Sequence, residues 1–208
     1  MRGITLNRFA AGLLLICGLM ALFSCSKTPQ VAKLPSDGVV LAFGDSITFG
    51  TGAAPAESYP GVLEKRIERR VVKAGVPGEV TAEGRVRLAS VLDEYNPVLM
   101  ILCLGGNDFL RHLDEAATAD NLRAMISLAR NRGVSVVLIG VPKLGFGLEV
   151  PKLYGELARE FSIPLEGKAL KQILSKSSLK SDAIHPNAAG YGILAESVAR
   201  LLHDSGAL

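Results

Sequence analysis

The stretch "VLMILCL", residues 98–104, is apolar throughout and is followed directly by two glycines. An uninterrupted apolar run of this length is typical of a strand that is covered on both faces, as the strands of a parallel sheet are. Further strand candidates lie at 38–43, 70–74 and 134–141, with a short one at 162–167. The pattern therefore predicts a buried sheet of parallel strands.

Helical patterns alternate with these strands along the chain. They cover residues 59–70, 81–96, 118–132, 151–161 and 187–202. Ser58 precedes the first helix as a predicted N-cap, and Gly133 follows the third as a predicted C-terminal stop. Strands that alternate with helices form βαβ units with right-handed crossovers, so we predict an α/β fold in a single domain.

The N-terminus has the pattern of a bacterial export signal. Arg2 and Arg8 precede a run of uncharged residues, 9–24, that is shorter than the roughly 20 residues of a membrane-spanning helix. The run ends in "LFSC", which resembles a lipoprotein signal whose cysteine, Cys25, is lipidated. The alternative is an uncleaved apolar anchor.

These features divide the chain into three parts. We predict a signal peptide at 1–24, a polar tether with two prolines at 25–37, and one domain at 38–208. Both forms of the anchor place the domain outside the cytoplasm. We therefore expect a membrane-anchored protein of the cell envelope, on the periplasmic side.

Charge and cysteine content exclude several classes of function. Beyond the leader the chain carries 21 basic and 20 acidic side chains, which gives no electrostatic footprint for nucleic acid. Cys103 lies in an apolar run and is predicted to be a core residue. The histidines, at 112, 185 and 203, are scattered and lack the spacing of metal ligands, so we expect no metal site.

Polar residues follow four of the predicted elements. Ligands of open α/β sheets bind beyond the carboxyl ends of the strands, so these loops are the candidate site. They are "GDSITFG" (44–50), "GVPGEVTA" (75–82), "GGNDFL" (105–110) and "DAIHPN" (182–187).

The residue types in these loops suit acyl transfer. Ser46 is a candidate nucleophile, which requires a base such as His185, and Asp182 would fix the tautomer of that imidazole. A tetrahedral intermediate also needs hydrogen-bond donors at its oxyanion. The backbone N–H groups of Ser46 and Gly78 and the side-chain amide of Asn107 are the candidates.

Neighbouring residues have predicted supporting roles. Asp45 and Asp108 are expected to bond local backbone and brace their loops rather than act in the chemistry. Leu110, Leu144 and Phe146 are the candidate contacts for an acyl chain. Leu148 continues the alternation of Leu144 and Phe146, and the alternative for these loop residues is simple core packing.

The four loops together resemble, in order and spacing, the motif blocks of the SGNH hydrolases, also called the GDSL family. The resemblance spans about residues 39–202. Within the family the chain is most similar to the thioesterase I, lysophospholipase and arylesterase group, on "YPGVLEKRI", "LGGND" and "PKLYGELAREFSIPL".

This resemblance implies a three-layer α/β/α sandwich around a flavodoxin-like, five-stranded parallel sheet. It also implies a triad of Ser46, Asp182 and His185, with an oxyanion hole formed by Ser46, Gly78 and Asn107. We therefore expect a monomeric serine esterase without a cofactor that hydrolyses carboxylic ester or thioester bonds of small acyl substrates.

Three other functions remain open from the sequence. The first is removal of acetyl groups from envelope glycans, and the second is a lipoprotein that keeps the fold as a non-catalytic binding module. The third is a nucleotide-binding module, but "GTGAAP" at 50–55 lacks the third glycine of the dinucleotide fingerprint.

Overall fold

Five parallel strands form the centre of the protein, whose computed structural model describes residues 28–144 and 147–208. The strands are β1 (Val40–Gly44), β2 (Val71–Gly75), β3 (Leu99–Cys103), β4 (Ser135–Ile139) and β5 (Leu165–Glu166). Their order is β2-β1-β3-β4-β5, which is the flavodoxin-like order. The predicted parallel α/β sheet is confirmed, although β5 is only two residues long.

Helices connect the strands. They are α1 (Ser46–Phe49), α2 (Tyr59–Ile67), α3 (Thr81–Tyr95), α4 (Gly106–Leu110), α5 (Glu115–Asn131), α6 (Lys152–Phe161), α7 (Ala169–Leu174) and α8 (Ala188–Asp204), with 3₁₀ turns at Pro55–Glu57 and Ser177–Leu179. The long helices agree with the sequence pattern. The short helices α1, α4 and α7 were not predicted, and α5 begins earlier than expected because the Asp114 side chain accepts the Ala117 N–H.

Two predicted helix ends have different outcomes. Gly133 adopts a left-handed conformation after α5, with φ of 76°, as expected for a C-terminal stop. Ser58 precedes α2, but its hydroxyl donates to the Pro55 carbonyl at 2.7 Å. The hydroxyl is therefore used in the preceding turn and does not cap α2.

The helices pack in two layers on the sheet. Helix α2 packs against α8, which also contacts α7, whereas α3 packs against α5 and α5 against α6. Every residue of β1 and of β3 is buried between these layers, and Cys103 is a free, buried thiol. This is the three-layer sandwich, and it explains why the central strands are apolar throughout.

The three strands β1, β2 and β3 share one register. Val40 lies opposite both Val71 and Leu99, and Gly44 lies opposite Gly75 and Cys103. The strands therefore end at the same level. A Cβ atom at Gly44 would lie 2.0 Å from the Cys103 carbonyl oxygen, so only glycine permits this close approach.

The segment before β1 packs against the end of the chain. The Val31 N–H donates to the Ser205 carbonyl at 2.9 Å, and the Leu34 N–H donates to the Ala207 carbonyl at 2.8 Å. The Leu34 side chain is only 4% exposed. Residues 30–35, which we call the N-terminal strap, are therefore held on the domain, although they fall within the predicted tether.

The predicted signal peptide at 1–24 and Cys25 lie outside the described residues. Among the helices that the structure does describe, none combines the length and apolar character required to cross a membrane.

The strap should contribute measurably to stability. We expect Leu34→Ala to lower the free energy of unfolding by about 2 kcal/mol, because it removes buried methyl groups from the hydrophobic core, of which Leu34 is part. Urea denaturation of the purified protein measures this. Val86→Ala is the matched control, since the Val86 side chain is 81% exposed, and equal stability of the two variants would contradict the packing of the strap.

Candidate active site

Ser46 is the first residue of α1, directly beyond the carboxyl end of β1. Asp45 starts this helix, because its Oδ1 atom accepts the Ile47 N–H at 3.0 Å. The cap holds the Ser46 side chain, which is half-buried, at the edge of the sheet. Asp45 therefore has the local structural role that the sequence predicted.

Asp182 and His185 lie in a tight loop that precedes α8. Oδ1 of Asp182 accepts the backbone N–H groups of Ile184 and His185, both at 2.8 Å. The Ser181 N–H donates to the His185 carbonyl at 3.0 Å and closes the loop. One carboxylate oxygen thus builds the turn and leaves the other oxygen free for the imidazole.

The imidazole of His185 connects Asp182 to Ser46. Its Nδ1 atom lies 2.7 Å from Oδ2 of Asp182, and its Nε2 atom lies 2.9 Å from the Ser46 hydroxyl oxygen. A carboxylate only accepts hydrogen bonds, so the proton sits on Nδ1 and Nε2 can accept the Ser46 proton. The structure brings together three side chains that the sequence separates by up to 139 positions.

The Asp182 carboxyl remains ionised in this arrangement. Partial desolvation raises its pKa, but the hydrogen bonds from the His185 ring and from the Ile184 and His185 amides outweigh that effect and hold the pKa below its usual value. Asp182 is therefore an acceptor at neutral pH.

Asn107 lies in α4, beyond the carboxyl end of β3. Its side-chain amide donates one hydrogen bond to the Glu79 carbonyl at 3.0 Å. An amide nitrogen carries two hydrogens, so this bond orients the group and leaves a second donor for a ligand.

Gly78 lies in the loop between β2 and α3 with a φ of 82°, which favours glycine. Within the part of the chain that the structure describes, neither its N–H nor the Ser46 N–H has a hydrogen-bond acceptor. Gly78 does not line the pocket that contains Ser46, Asn107 and His185. It is tied to α4 by Arg111, which donates to the Gly78 carbonyl at 2.8 Å.

An ion pair that the sequence did not reveal supports this loop. The Arg87 guanidinium donates to both carboxylate oxygens of Glu79 at 2.7 Å, and it also bonds the Ala74 carbonyl at 3.1 Å. The guanidinium carbon lies 4.1 Å from the centre of the Phe43 ring. Glu79 is buried, and its carbonyl is the group that orients Asn107, so the ion pair stabilises the loop that carries Gly78.

Asp108 braces the site, as the sequence predicted. Its buried carboxylate accepts the Thr81 N–H at 2.9 Å and the Thr81 hydroxyl at 2.5 Å, with a longer bond from Thr118 at 3.4 Å. Thr81 is the first residue of α3. Asp108 therefore connects the loop after β3 to the helix that follows the loop after β2.

The pocket beside Ser46 has apolar walls. Leu110 and Leu144 line it together with Val141 and Ile184. Both leucines are exposed, at 43% and 38%, so their side chains are accessible from solvent at the wall of the pocket. Two of the three predicted acyl contacts thus lie at the pocket, and the third, Phe146, lies outside the described residues.

Leu148 belongs elsewhere. It lines a separate cavity together with Lys168, Lys171 and Gln172. The alternation of apolar residues in this loop therefore does not place all of them over one pocket.

The electrostatics of the site are dominated by buried carboxyl groups. The pKa of Asp45 is raised to about 7, chiefly by burial. The hydrogen bond from the Ile47 amide opposes this rise, and the nearby charges of Glu79 and Asp108 add to it. Within residues 28–144 and 147–208, no group of three or more His, Cys, Asp or Glu side chains is arranged to hold a metal ion.

A parallel α/β sheet whose strand ends carry a hydrogen-bonded Asp–His–Ser chain is the arrangement of a serine hydrolase. The chain also matches the model of the GDSL-like lipase/acylhydrolase family over residues 42–193. It belongs to this family, as the sequence motifs predicted.

Known proteins of the same length range are similar to the chain. Esterase TesA of Pseudomonas aeruginosa is 31% identical over 196 residues, which cover 89% of this chain and 94% of that protein. Thioesterase 1/protease 1/lysophospholipase L1 of Escherichia coli is 28% identical over 180 residues, covering 80% and 86% of the two chains. A crystal structure of TesA superposes with a TM-score of 0.71 at 30% identity, covering 79% of this chain and 97% of that one.

The raised pKa of Asp45 makes a prediction for the pH dependence of stability. Between the unfolded value near 4 and the folded value of about 7, the native state holds a proton that the unfolded state releases. The contribution of Asp45 to stability is therefore fully present below about pH 4 and is lost as the pH rises through about 7. Asn cannot ionise and can still accept the Ile47 N–H.

We therefore expect Asp45→Asn to be more stable relative to the wild type at pH 8 than at pH 5, by on the order of a few kcal/mol. Urea denaturation at the two pH values measures the difference. Asp37→Asn serves as the control because Asp37 is exposed. An identical pH dependence in the wild type and in Asp45→Asn would contradict a protonated carboxyl group at this position.

Proposed function

We propose that this protein is a serine esterase that hydrolyses carboxylic ester or thioester bonds, with Ser46, His185 and Asp182 as its triad. The observation that carries the proposal is the continuous hydrogen-bonded chain from Asp182 through His185 to Ser46, which ends at an apolar pocket. The names of the similar proteins, esterase TesA and thioesterase 1/protease 1/lysophospholipase L1, include esterase and thioesterase activities and support the proposal.

The first half of the reaction forms an acyl-enzyme. The Ser46 oxygen attacks the carbonyl carbon of the substrate while His185 Nε2 takes the hydroxyl proton. The tetrahedral intermediate then collapses, and the imidazolium returns that proton to the departing alcohol or thiol. Asp182 remains ionised and stabilises the imidazolium in both steps.

The second half releases the acid. A water molecule gives a proton to His185 and attacks the Ser46 ester, and a second tetrahedral intermediate breaks the bond to Ser46. The proton returns to the serine oxygen. All of these steps use side chains of one chain, and none of them calls for a cofactor.

The oxyanion requires donors that are already aimed before the reaction starts. The N–H groups of Ser46 and Gly78 and the second amide hydrogen of Asn107 are the proposed donors. The Glu79 carbonyl holds the Asn107 amide at 3.0 Å, so that donor is fixed in advance. A preoriented dipole stabilises the developing charge without a reorganisation cost.

The apolar walls favour an acyl group over a sugar as the part of the substrate that is held. Leu110 and Leu144 offer contact to methylene groups and no hydrogen-bond partner for hydroxyls. This lining supports an acyl esterase over the deacetylation of envelope glycans. The intact chain of hydrogen bonds argues against a module that only binds.

Two variants should separate the nucleophile from the oxyanion donor. Ser46→Ala should abolish both turnover and covalent labelling by a fluorophosphonate, because the attacking oxygen is gone. Asn107→Ala should still be labelled, but its kcat should fall by roughly 10²–10³, the loss typical of one oxyanion donor. Its KM should change little, since the amide acts on charge that develops in the transition state.

Asp108→Ala is the neighbouring comparison. We expect it to lower the free energy of unfolding by about 3 kcal/mol, because it leaves the buried hydrogen-bond donors of Thr81 without an acceptor. The kcat of the folded fraction should fall less than that of Asn107→Ala. Near wild-type kcat in Asn107→Ala, together with loss of turnover in well-folded Asp108→Ala, would show that the two roles are reversed.

We also infer that the mature protein begins at a lipidated Cys25 and resides in the cell envelope. The support is the charge pattern of residues 1–24 and the "LFSC" that ends it. Two or three acyl chains give stable attachment to a membrane, whereas one does not. Mass spectrometry of the N-terminal peptide tests this, and an unmodified Cys25 or a retained leader would exclude lipidation.

A further inference from the structure

The N-terminal strap lies at the opposite end of the molecule from Ser46. The Gln30 side chain lies against Gly206, and its oxygen would be 3.0 Å from a Cβ atom added to that glycine. The Val31 N–H donates to the Ser205 carbonyl. These partners follow the last residue of α8, Asp204. The strap leads into β1 at its amino end, whereas Ser46 follows its carboxyl end.

The length of helix α8 gives the distance between the strap and the loop that carries His185. It begins at Ala188, three positions after His185, and contains 17 residues. At 1.5 Å per residue its axis is about 25 Å long. The triad loop therefore lies at one end of this helix, and the strap lies at the other.

The chain between the proposed anchor and the strap is short. Five peptide units separate Cys25 from Gln30, and a fully extended chain of this length spans at most about 17 Å. For an uncleaved apolar anchor at 9–24 the linker is one residue longer and spans at most about 20 Å. If the pocket faced the anchoring bilayer, the strap would stand about 25 Å above it, which is beyond the reach of the chain.

We infer that the anchor keeps the active site from facing its own membrane, so that the substrate is an ester or thioester presented from the aqueous side rather than one embedded in that membrane. The inference rests on the proposed esterase function and on the N-terminal anchor. The packing of the strap is essential to this inference. If the whole segment from 25 to 37 were free, the linker between the anchor and the domain would be seven residues longer, and the domain could turn its pocket toward the membrane.

The test compares two forms of one reacting group. A fluorogenic butyrate ester is supplied either free in solution or coupled to the headgroup of a distearoyl phospholipid. The full-length protein, isolated from a host that processes its leader, is reconstituted in vesicles of phosphatidylethanolamine and phosphatidylglycerol that contain the lipid-linked ester. Flotation of the vesicles establishes that the protein is attached.

The decisive variant has about 25 Gly and Ser residues inserted between Lys27 and Thr28, which adds a root-mean-square reach of about 28 Å. The matched control carries the same insertion after Leu208. We expect the N-terminal insertion to raise hydrolysis of the lipid-linked ester at least fivefold, with hydrolysis of the free ester unchanged, and the control to match the wild type on both. In detergent micelles all three proteins should hydrolyse the lipid-linked ester equally.

Other outcomes overturn the inference in distinguishable ways. Efficient hydrolysis of the lipid-linked ester by the attached wild type, with no gain from the N-terminal insertion, would show that the site reaches its own membrane. Failure of the protein to float with the vesicles would remove the anchor on which the orientation depends. Failure to hydrolyse either ester in solution or in micelles would refute the esterase function itself.

Discussion

The shared register of β1, β2 and β3 is the constraint on which the site depends. Because Gly44 lies level with Gly75 and Cys103, the chains that leave these strands emerge side by side at one edge of the sheet. The strand ends set the position of each loop along the strand direction. These loops carry Ser46, Gly78 and Asn107. A slip of one residue in this register would move a donor by about 3.3 Å, which is more than the tolerance of a hydrogen bond.

Three buried acidic side chains at the pocket and behind it hold these loops in place. Asp45 starts the helix of the nucleophile, Glu79 holds the second loop through Arg87, and Asp108 joins the third loop to Thr81. Each is buried, and each therefore needs hydrogen-bond donors to offset its desolvation. Only Glu79 has a guanidinium as its partner. Among the residues that the structure describes, Asp45 has no cationic partner of this kind, and its pKa is raised by burial and by the charges of its two acidic neighbours.

The sequence predicted the regular parts of the fold, and its motifs identified the candidates for the site, because both rest on local signals. The apolar run at 98–104 and the motif "DAIHPN" are continuous and recognisable without tertiary information. The short helices were missed because four to six residues are too few for a helical period, and Asp45 or a loop connection decides whether they form. The pair of Glu79 and Arg87 was missed because a contact between a loop and a helix has no characteristic spacing. The strap was missed because its composition is that of a linker, and only its bonds to Ser205 and Ala207 reveal that it is packed.

The pairing of the strap with the C-terminal residues has one more consequence. Because Val31 is bonded to Ser205 and Leu34 to Ala207, the two ends of the described chain lie next to each other. A few residues would suffice to join them, and new termini could then be opened in an exposed turn such as the one at Gly133, where an added Cβ meets nothing. The fold is thus suited to circular permutation. The same sheet could form from a chain in which the strands occur in a different sequence order.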